Sequence, residues 1–170
     1  LPLRITRPNG AFQEIIDFEG EIPIYFTTTN ANAAISTGAS PVRTTHSLDG
    51  SGVTVGVWDG GSARITHQEF GARATSLDGG AIIDHATHVS GTIGAAGVVN
   101  TAQGMAPFAK IDSYDWNNDV SEMTARAATA PGQADKLYLS NHSYNFVTGW
   151  NYVNNGTRVW EWYGNGTATT

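Results

Sequence analysis

The sequence predicts an α/β fold in which a parallel sheet has helices on its faces. Extended and helical patterns alternate along the middle of the chain in the order strand, helix, strand, helix, strand. This order is typical of parallel strands joined by right-handed crossovers. The first of these strands ends in an acid and two glycines, Asp59-Gly60-Gly61. Open α/β sheets place their functional sites at such strand ends, so a site is expected there.

The first predicted strand has valines at alternate positions, Val53, Val55 and Val57, separated by a threonine and a glycine. Small residues on one face suit a strand that is covered closely on both sides. Two further strands are predicted at residues 109–114 and 136–141, where apolar residues alternate with polar ones or follow a turn.

Two helices are expected between these strands. The first starts at Asp84, as its N-cap, and runs to about Ala96. Each Gly destabilises a helix by about 1 kcal/mol relative to Ala. The two glycines in this helix therefore predict that another element packs very closely against it. The second starts at Asp119, as its N-cap, and runs to about Ala130, with Glu122 completing a capping-box pair.

The two ends of the chain show weaker patterns. Apolar residues at every second position predict an extended piece at residues 21–29. The small, alanine-rich stretch at residues 28–40 is interpreted either as a short helix around residues 32–35 or as a linker. Residues 144–170 are rich in Asn, Gly and aromatics, which indicates a hairpin or a large surface loop packed by its own aromatic rings.

The composition excludes several classes of protein. A nucleic-acid binder needs a surplus of Lys and Arg, whereas the net charge here is −6. The absence of Cys excludes a disulfide scaffold, a Cys nucleophile and a thiolate zinc site. No apolar run approaches the roughly 20 residues that span a bilayer. A length of 170 residues suits one domain, and we expect no nucleic-acid or membrane partner.

Asp59 and His85 are the candidate reactive pair. A carboxylate hydrogen-bonded to an imidazole fixes its tautomer and stabilises the imidazolium that forms during proton transfer. Either residue alone is more commonly a cap, a turn former or a surface group. If both lie at the same edge of the sheet, their side chains are expected within about 2.6–3.2 Å of each other. His85 and His88 lack the Glu and the four-residue spacing of a zincin pair, so no metal site is predicted.

Five segments in order along the chain resemble motifs of the subtilisin-like serine peptidases. They are the strand and Asp-Gly-Gly at residues 53–61, His-Gln-Glu-Phe at 67–70, His-Ala-Thr-His-Val-Ser-Gly-Thr at 85–92, Gly-Met-Ala-Pro at 104–107 and Ser-Asn-His-Ser at 140–143. The alanine-rich residues 30–34 and the Asp-Gly-Gly form are similar to secreted bacterial members. The resemblance implies a parallel-sheet subtilisin-like three-layer fold that is incomplete in this chain.

The resemblance also implies roles for the reactive pair. Asp59 would orient the histidine, and His85 would act as general base and then general acid, while His88 would be structural. Two positions depart from the family pattern, with Gly60 in place of Thr and Ala86 in place of Gly.

A substrate segment is implied as well. Asn141, Ser143 and Tyr144 would bind an extended protein or peptide substrate as an added strand, with residues 116–118 on the opposite side of the cleft. No cofactor would be required, and calcium is possible as a structural ion.

The nucleophilic Ser of the family motif Gly-Thr-Ser-Met-Ala is absent, and Ala168 stands where a partial echo of the motif would need it. We therefore expect residues 1–45 to be an N-terminal extension packing on the domain, and residues 46–170 to be the N-terminal portion of a secreted peptidase domain. The remaining C-terminal part would supply the Ser, and signal and pro-segment would have been removed. This chain alone would be inactive. The alternative is a non-catalytic fragment of the fold that acts as a binding or assembly module.

Overall fold

The computed structural model describes residues 4–6, 12–20, 22–27, 30–144, 149–154 and 158–163, and the statements below concern these residues. Its elements in chain order are β1 (Arg4–Thr6), β2 (Phe12–Glu19), β3 (Ile22–Thr27), α1 (Asn30–Ser36), α2 (Ala39–His46), β4 (Thr54–Asp59), β5 (Ala74–Ser76), α3 (Asp84–Gly94), a 3₁₀ turn (Asn100–Ala102), β6 (Lys110–Asp115), α4 (Asp119–Ala128), β7 (Leu139–His142), β8 (Gly149–Asn154) and β9 (Arg158–Tyr163). In the described part of the chain no helix is long and apolar enough to cross a membrane.

The central sheet has four parallel strands in the order β5-β6-β4-β7. Its register pairs Asp59 at the end of β4 with Asp115 at the end of β6, and Trp58 with His142 at the end of β7. Strands that follow β4 in the chain therefore lie on both sides of it. The crevice at the carboxyl end of β4 is a topological switch point, where open α/β sheets bind ligands.

One face of the sheet is covered by α3. The core on this face is made of apolar side chains: Val55, Val57, Phe70, Ala74, Ala109 and Ile111. Val89 and Ile93 of α3 pack against these residues. The helix approaches closely because its buried positions are all small, at a spacing of four residues: Ala86, Ser90 and Gly94. A Cβ atom on Gly94 would lie 3.2 Å from Ile111 Cδ1, which confirms the predicted close packing at this glycine.

The other face is covered by α4. Its core contains Trp58, Tyr114 and Leu137, with Met123 of α4 packed against them. The Trp58 ring stacks on Tyr114 at a centroid distance of 4.4 Å, and on His142 on its other side at 5.4 Å. Helices thus lie on both faces of a parallel sheet, and the predicted α/β fold is confirmed.

The start of α3 differs from the sequence prediction. Asp84 is the first residue of the helix and not its N-cap, because Ile83 occupies the cap position in an extended conformation. The helix ends at Gly94, where Ala95 turns to extended backbone, two residues before the predicted end. Close packing predicted at Gly91 is absent, since a Cβ there would meet nothing within 4 Å.

The start of α4 differs in the same way. Asn118 occupies the cap position with a left-handed φ of 62°, and Asp119 is the first helical residue. Glu122 makes no capping box, because its Oε2 accepts a hydrogen bond of 2.9 Å from Trp58 Nε1. Glu122 thus bonds to Trp58 of β4 and not to a local backbone group, and this hydrogen bond connects α4 to the sheet.

The N-terminal segment contains two predicted elements, β3 and α1, and three that the sequence did not indicate, β1, β2 and α2. β1, β2 and β3 form an antiparallel sheet, in which β3 lies within the predicted extended piece. Of the two interpretations of the alanine-rich stretch, α1 confirms the helix. Arg43 of α2 donates hydrogen bonds of 3.0 Å to the carbonyl oxygens of Gly104 and Met105. The boundary between residues 45 and 46 stays a prediction.

The aromatic C-terminal segment is a hairpin. β8 and β9 pair antiparallel, with Trp150 opposite Trp162. The rings of Trp150 and Trp162 meet edge to face at 5.6 Å. Even so, Trp150 is 66% exposed, and Trp160 on the same hairpin is 64% exposed. Of the two predicted alternatives, a hairpin and a large surface loop, the structure shows the hairpin. Tryptophan side chains on it are exposed to solvent. The echo motif at residues 165–168 lies outside the described residues.

Candidate active site

Asp59 lies at the carboxyl end of β4, where the strand leaves the core. The residue is only 3% exposed, so its carboxylate has lost most of its water. Its Oδ1 accepts a hydrogen bond of 2.7 Å from the backbone N–H of Gly60. A buried carboxylate needs such partners, because desolvation of an unpaired charge is costly.

The loop after β4 fixes the position of α3. Ser62 N–H donates to Ala81 O at 2.8 Å, and Ile83 N–H donates to Ser62 O at 3.0 Å. These bonds form a short parallel bridge that joins the end of β4 to the residues preceding α3. A Cβ on Gly61 would lie 2.3 Å from Ala81 O, so this approach requires glycine. The second glycine of Asp-Gly-Gly thus serves to bring α3, and with it His85, to the end of β4.

His85 contacts Asp59 as the sequence predicts. Its Nδ1 lies 2.9 Å from Oδ1 and 2.8 Å from Oδ2 of Asp59. An ionised carboxylate only accepts, so Nδ1 is the protonated ring nitrogen and Nε2 of the neutral ring has a free lone pair. The His85 side chain is 56% exposed, whereas that of Asp59 is 4% exposed. An oriented imidazole with one face in solvent can take and return a proton.

His88 lies one helical turn further along α3 and is exposed. It lines a groove between α3 and residues 64–70, together with His67 and Asp84. Neither Asp59 nor His85 belongs to the lining of that groove. The two histidines of the motif therefore lie in different environments.

Two aromatic rings lie near the loop that follows Asp59. A Cβ on Gly60 would lie 3.4 Å from the Trp116 ring, which places this ring next to the end of β4. Tyr144 contacts Trp116 edge to face, with ring centroids 5.6 Å apart. Trp116, from the segment expected on the opposite side of the cleft, thus lies near Gly60 and contacts Tyr144 directly.

The predicted substrate segment lies at the end of β7. Asn141 pairs in register with Val57 of β4, and its Nδ2 donates to Ser143 Oγ at 2.9 Å. β7 has a single neighbouring strand among the described residues and is an edge of the sheet. Whether Asn141, Ser143 and Tyr144 bind substrate stays a prediction.

The Tyr144 hydroxyl has two partners that the sequence did not indicate. It donates to Asp119 Oδ2 at 2.6 Å and lies 2.8 Å from His142 Nδ1. Burial, the hydrogen bond to Asp119 and the charges of Asp119 and Asp59 raise the pKa of Tyr144 to about 12. No local pattern could have revealed the pairing of Tyr144 with Asp119, because the two residues are 25 positions apart.

The described residues contain no group of three His, Cys, Asp or Glu side chains that could hold a metal ion. Asp78 and Asp115 come close, but Asp78 accepts hydrogen bonds from the backbone of Gly80 and Asp115. Asp115 itself accepts one from Asn117 N–H. These carboxylates bind backbone groups of the loops around them, and a structural calcium ion stays an expectation.

Comparisons with known proteins give a partial similarity to solved structures. No protein-family model matches the sequence, and no curated protein matches it. The crystal structure of a cold adapted subtilisin-like serine proteinase is similar to part of the chain, with 34% sequence identity and a TM-score of 0.34. The similar part covers 40% of this chain and 26% of that proteinase. The chain thus spans a minor part of the length of that proteinase.

Proposed function

We propose that this chain supplies the acid and the base of a serine endopeptidase site of the subtilisin-like type. Asp59 is the orienting acid, His85 is the general base, and the nucleophilic Ser comes from a C-terminal part of the peptidase outside these 170 residues. The observation behind the proposal is the contact of 2.8 Å between His85 Nδ1 and Asp59 Oδ2. The five motif-like segments from residue 53 to residue 143 support it from the sequence.

The proposed reaction is hydrolysis of a peptide bond. His85 Nε2 takes the proton of the Ser hydroxyl as the Ser oxygen attacks the peptide carbonyl carbon. The imidazolium that forms is stabilised by the Asp59 carboxylate and then gives its proton to the leaving amine, which breaks the C–N bond. Water hydrolyses the acyl-enzyme with His85 again as base. The pair thus moves one proton in and out in each half of the reaction.

The proposal includes the partners and the location of the protein. Its substrate is a protein or peptide that binds in an extended conformation next to Asn141, Ser143 and Tyr144. The C-terminal part that brings the Ser covers the same side of the sheet. As a peptidase of this type the protein is secreted.

The test is the variant His85→Ala in the intact protein, with peptide hydrolysis measured alongside labelling by a serine-directed fluorophosphonate. We expect turnover to fall by several powers of ten, on the order of the losses that follow removal of a triad member. His46→Ala is the control, because His46 is an exposed histidine on α2, which carries none of the proposed site residues, and we expect it to keep most of the activity. Unchanged hydrolysis in His85→Ala would contradict the role of His85 as base.

A second candidate function is favoured by the tryptophans of the hairpin β8-β9. Trp150, Trp160 and Trp162 are each about half exposed or more, and large exposed apolar surfaces mark binding sites. The fold would then act as a binding or assembly module without catalysis. The same experiment separates the two functions, since a module shows neither peptide hydrolysis nor labelling of any fragment that co-purifies with it.

A further inference from the structure

The end of β7 is attached to α4 through the Tyr144 hydroxyl. This hydroxyl lies between Asp119, the first residue of α4, and His142, the last residue of β7. Its single proton goes to Asp119 Oδ2, because a carboxylate cannot donate. His142 Nδ1 must therefore carry a proton and donate to the Tyr144 oxygen. The hydroxyl is held by one acceptor and one donor, which leaves its ring little freedom.

Both partners are themselves fixed. Asp119 Oδ1 accepts the N–H of Val120 at 2.6 Å, and a carboxylate at a helix N-terminus is favoured by the helix dipole. The His142 ring lies nearly parallel to Trp58, at an interplanar angle of 12°. Trp58 is wholly buried and donates to Glu122 of α4. The two groups that hold Tyr144 are thus anchored on the core of the sheet and on the helix.

We propose that Asp119 and His142 are positioning residues for substrate binding. By holding the Tyr144 hydroxyl from both sides, they keep its ring against Trp116 and set the course of the substrate segment beside Asp59 and His85. This inference rests on the proposed peptidase function, because it assigns Tyr144 to the substrate cleft. Neither Asp119 nor His142 touches the reacting atoms, and both act through Tyr144.

A double-mutant cycle in the intact protein tests the link between Asp119 and Tyr144. KM and kcat are measured for Asp119→Ala, Tyr144→Phe and the double variant, with an extended peptide and with a single-residue ester. We expect each single change to raise KM for the extended peptide about tenfold, the cost of one hydrogen bond to a charged group. The double variant should lose no more than either single one, since both changes remove the same bond. The ester, which does not reach Tyr144, should be hydrolysed as before.

Conservative variants separate positioning from a general loss of structure. His142→Asn keeps a donor near the position of Nδ1, so its KM for the extended peptide should stay near the wild-type value. His142→Leu has no donor there and should raise this KM. Val120→Ala is the control on α4, because Val120 is an exposed neighbour of Asp119. It should leave both substrates unaffected.

Peptide binding to proteins that also carry His85→Ala, followed by fluorescence anisotropy, gives a readout that needs no catalysis. The same cycle is expected in the dissociation constant. Unchanged KM and affinity, multiplicative losses in the double variant, or equal losses for the ester would each overturn the positioning role. If the intact protein hydrolyses no peptide, the proposed function fails while the binding cycle still decides this inference. In that case, a lack of peptide binding overturns it.

Discussion

The two faces of the central sheet are held by different kinds of contact. On the α3 face the helix approaches through small residues, and charged side chains such as Glu69 and Arg73 bind backbone groups around its end. On the α4 face the contacts join side chain to side chain, from the stack on Trp58 to the ion pair between Arg126 and Asp112.

The difference has a functional consequence. Close backbone approach on the α3 side brings His85 within 2.8 Å of Asp59, since the spacing there leaves no room for larger side chains. On the α4 side, a hydrogen bond to the Asp119 side chain orients Tyr144, and the Tyr144 ring contacts Trp116. The first face thus sets the distance between the proposed acid and base, Asp59 and His85, and the second sets the positions of the Tyr144 and Trp116 rings. The two faces should respond differently to mutation.

The largest effect on stability is expected on the α4 face, for Arg126→Met. The guanidinium donates to Asp112 Oδ2 at 2.6 Å, to Asp135 O at 2.6 Å and to the Tyr114 hydroxyl. Its loss leaves a mostly buried Asp112 carboxylate without its cation, which should lower the free energy of unfolding by about 2 to 3 kcal/mol. Urea denaturation measures this change.

A second variant distinguishes the unpaired charge from lost packing. Asp112→Leu combined with Arg126→Met removes both charges, and replacing an ion pair by apolar groups is often close to neutral. The double variant should therefore regain most of the stability. A double variant that is no more stable than Arg126→Met would show that the pair matters for packing and not for charge.

A smaller effect is expected on the α3 face, for Glu69→Gln. Burial by itself raises the pKa of Glu69, but N–H donors of Val99, Gly97 and Val98, together with His67, outweigh it and hold the pKa below its ordinary value. At neutral pH the substitution should cost about 1 to 2 kcal/mol, because the amide accepts fewer of these bonds and has no charge.

The loss should depend on pH with a definite sign. A carboxyl whose folded pKa is depressed contributes stability above its unfolded pKa and loses it as the pH falls through the folded value. The difference between the wild type and Glu69→Gln should therefore be constant near neutrality and shrink below pH 4.5. Urea denaturation across this range checks it, and a difference that grows towards acid pH would contradict the role assigned to Glu69.

The smallest expected change in stability comes from replacing a serine by alanine, and it should have opposite signs on the two faces. Ser90 is fully buried on α3, and its Oγ has no hydrogen-bond partner among the described residues. Ser90→Ala should stabilise the protein by about 1 kcal/mol, since a buried hydroxyl without a partner costs desolvation. Ser121→Ala on α4 should destabilise it slightly, because Ser121 Oγ donates to Asn118 O at 2.8 Å. Thermal unfolding of both variants measures these changes. Shifts in Tm of the same sign for the two variants would contradict the proposed difference between the faces.

The parts of the fold that the sequence predicted are those with a strong local pattern. Strand β4 was predicted from its alternating valines, and the α/β class from the alternation of strands and helices. The turn after β4 was predicted from the glycines that follow Asp59. β5 was missed because a strand of three residues shows no periodicity. The caps of α3 and α4 were misassigned because Asp84 and Asp119 are favourable at the first helical position as well as at the cap.

The sequence by itself determined the α/β class and the exclusion of thiol chemistry, because these follow from the alternation of strands and helices and from the composition. The contact between Asp59 and His85 was an expectation, which the structure confirmed. The tertiary structure alone decided the partners of Glu122, Tyr144 and His142. Each of these side chains could have bonded a local backbone group or water, and none of their sequence neighbours reveals the choice. Register across β6, β4 and β7 brings Tyr114, Trp58 and His142 into one stack, and such distant contacts exist only once the sheet has formed.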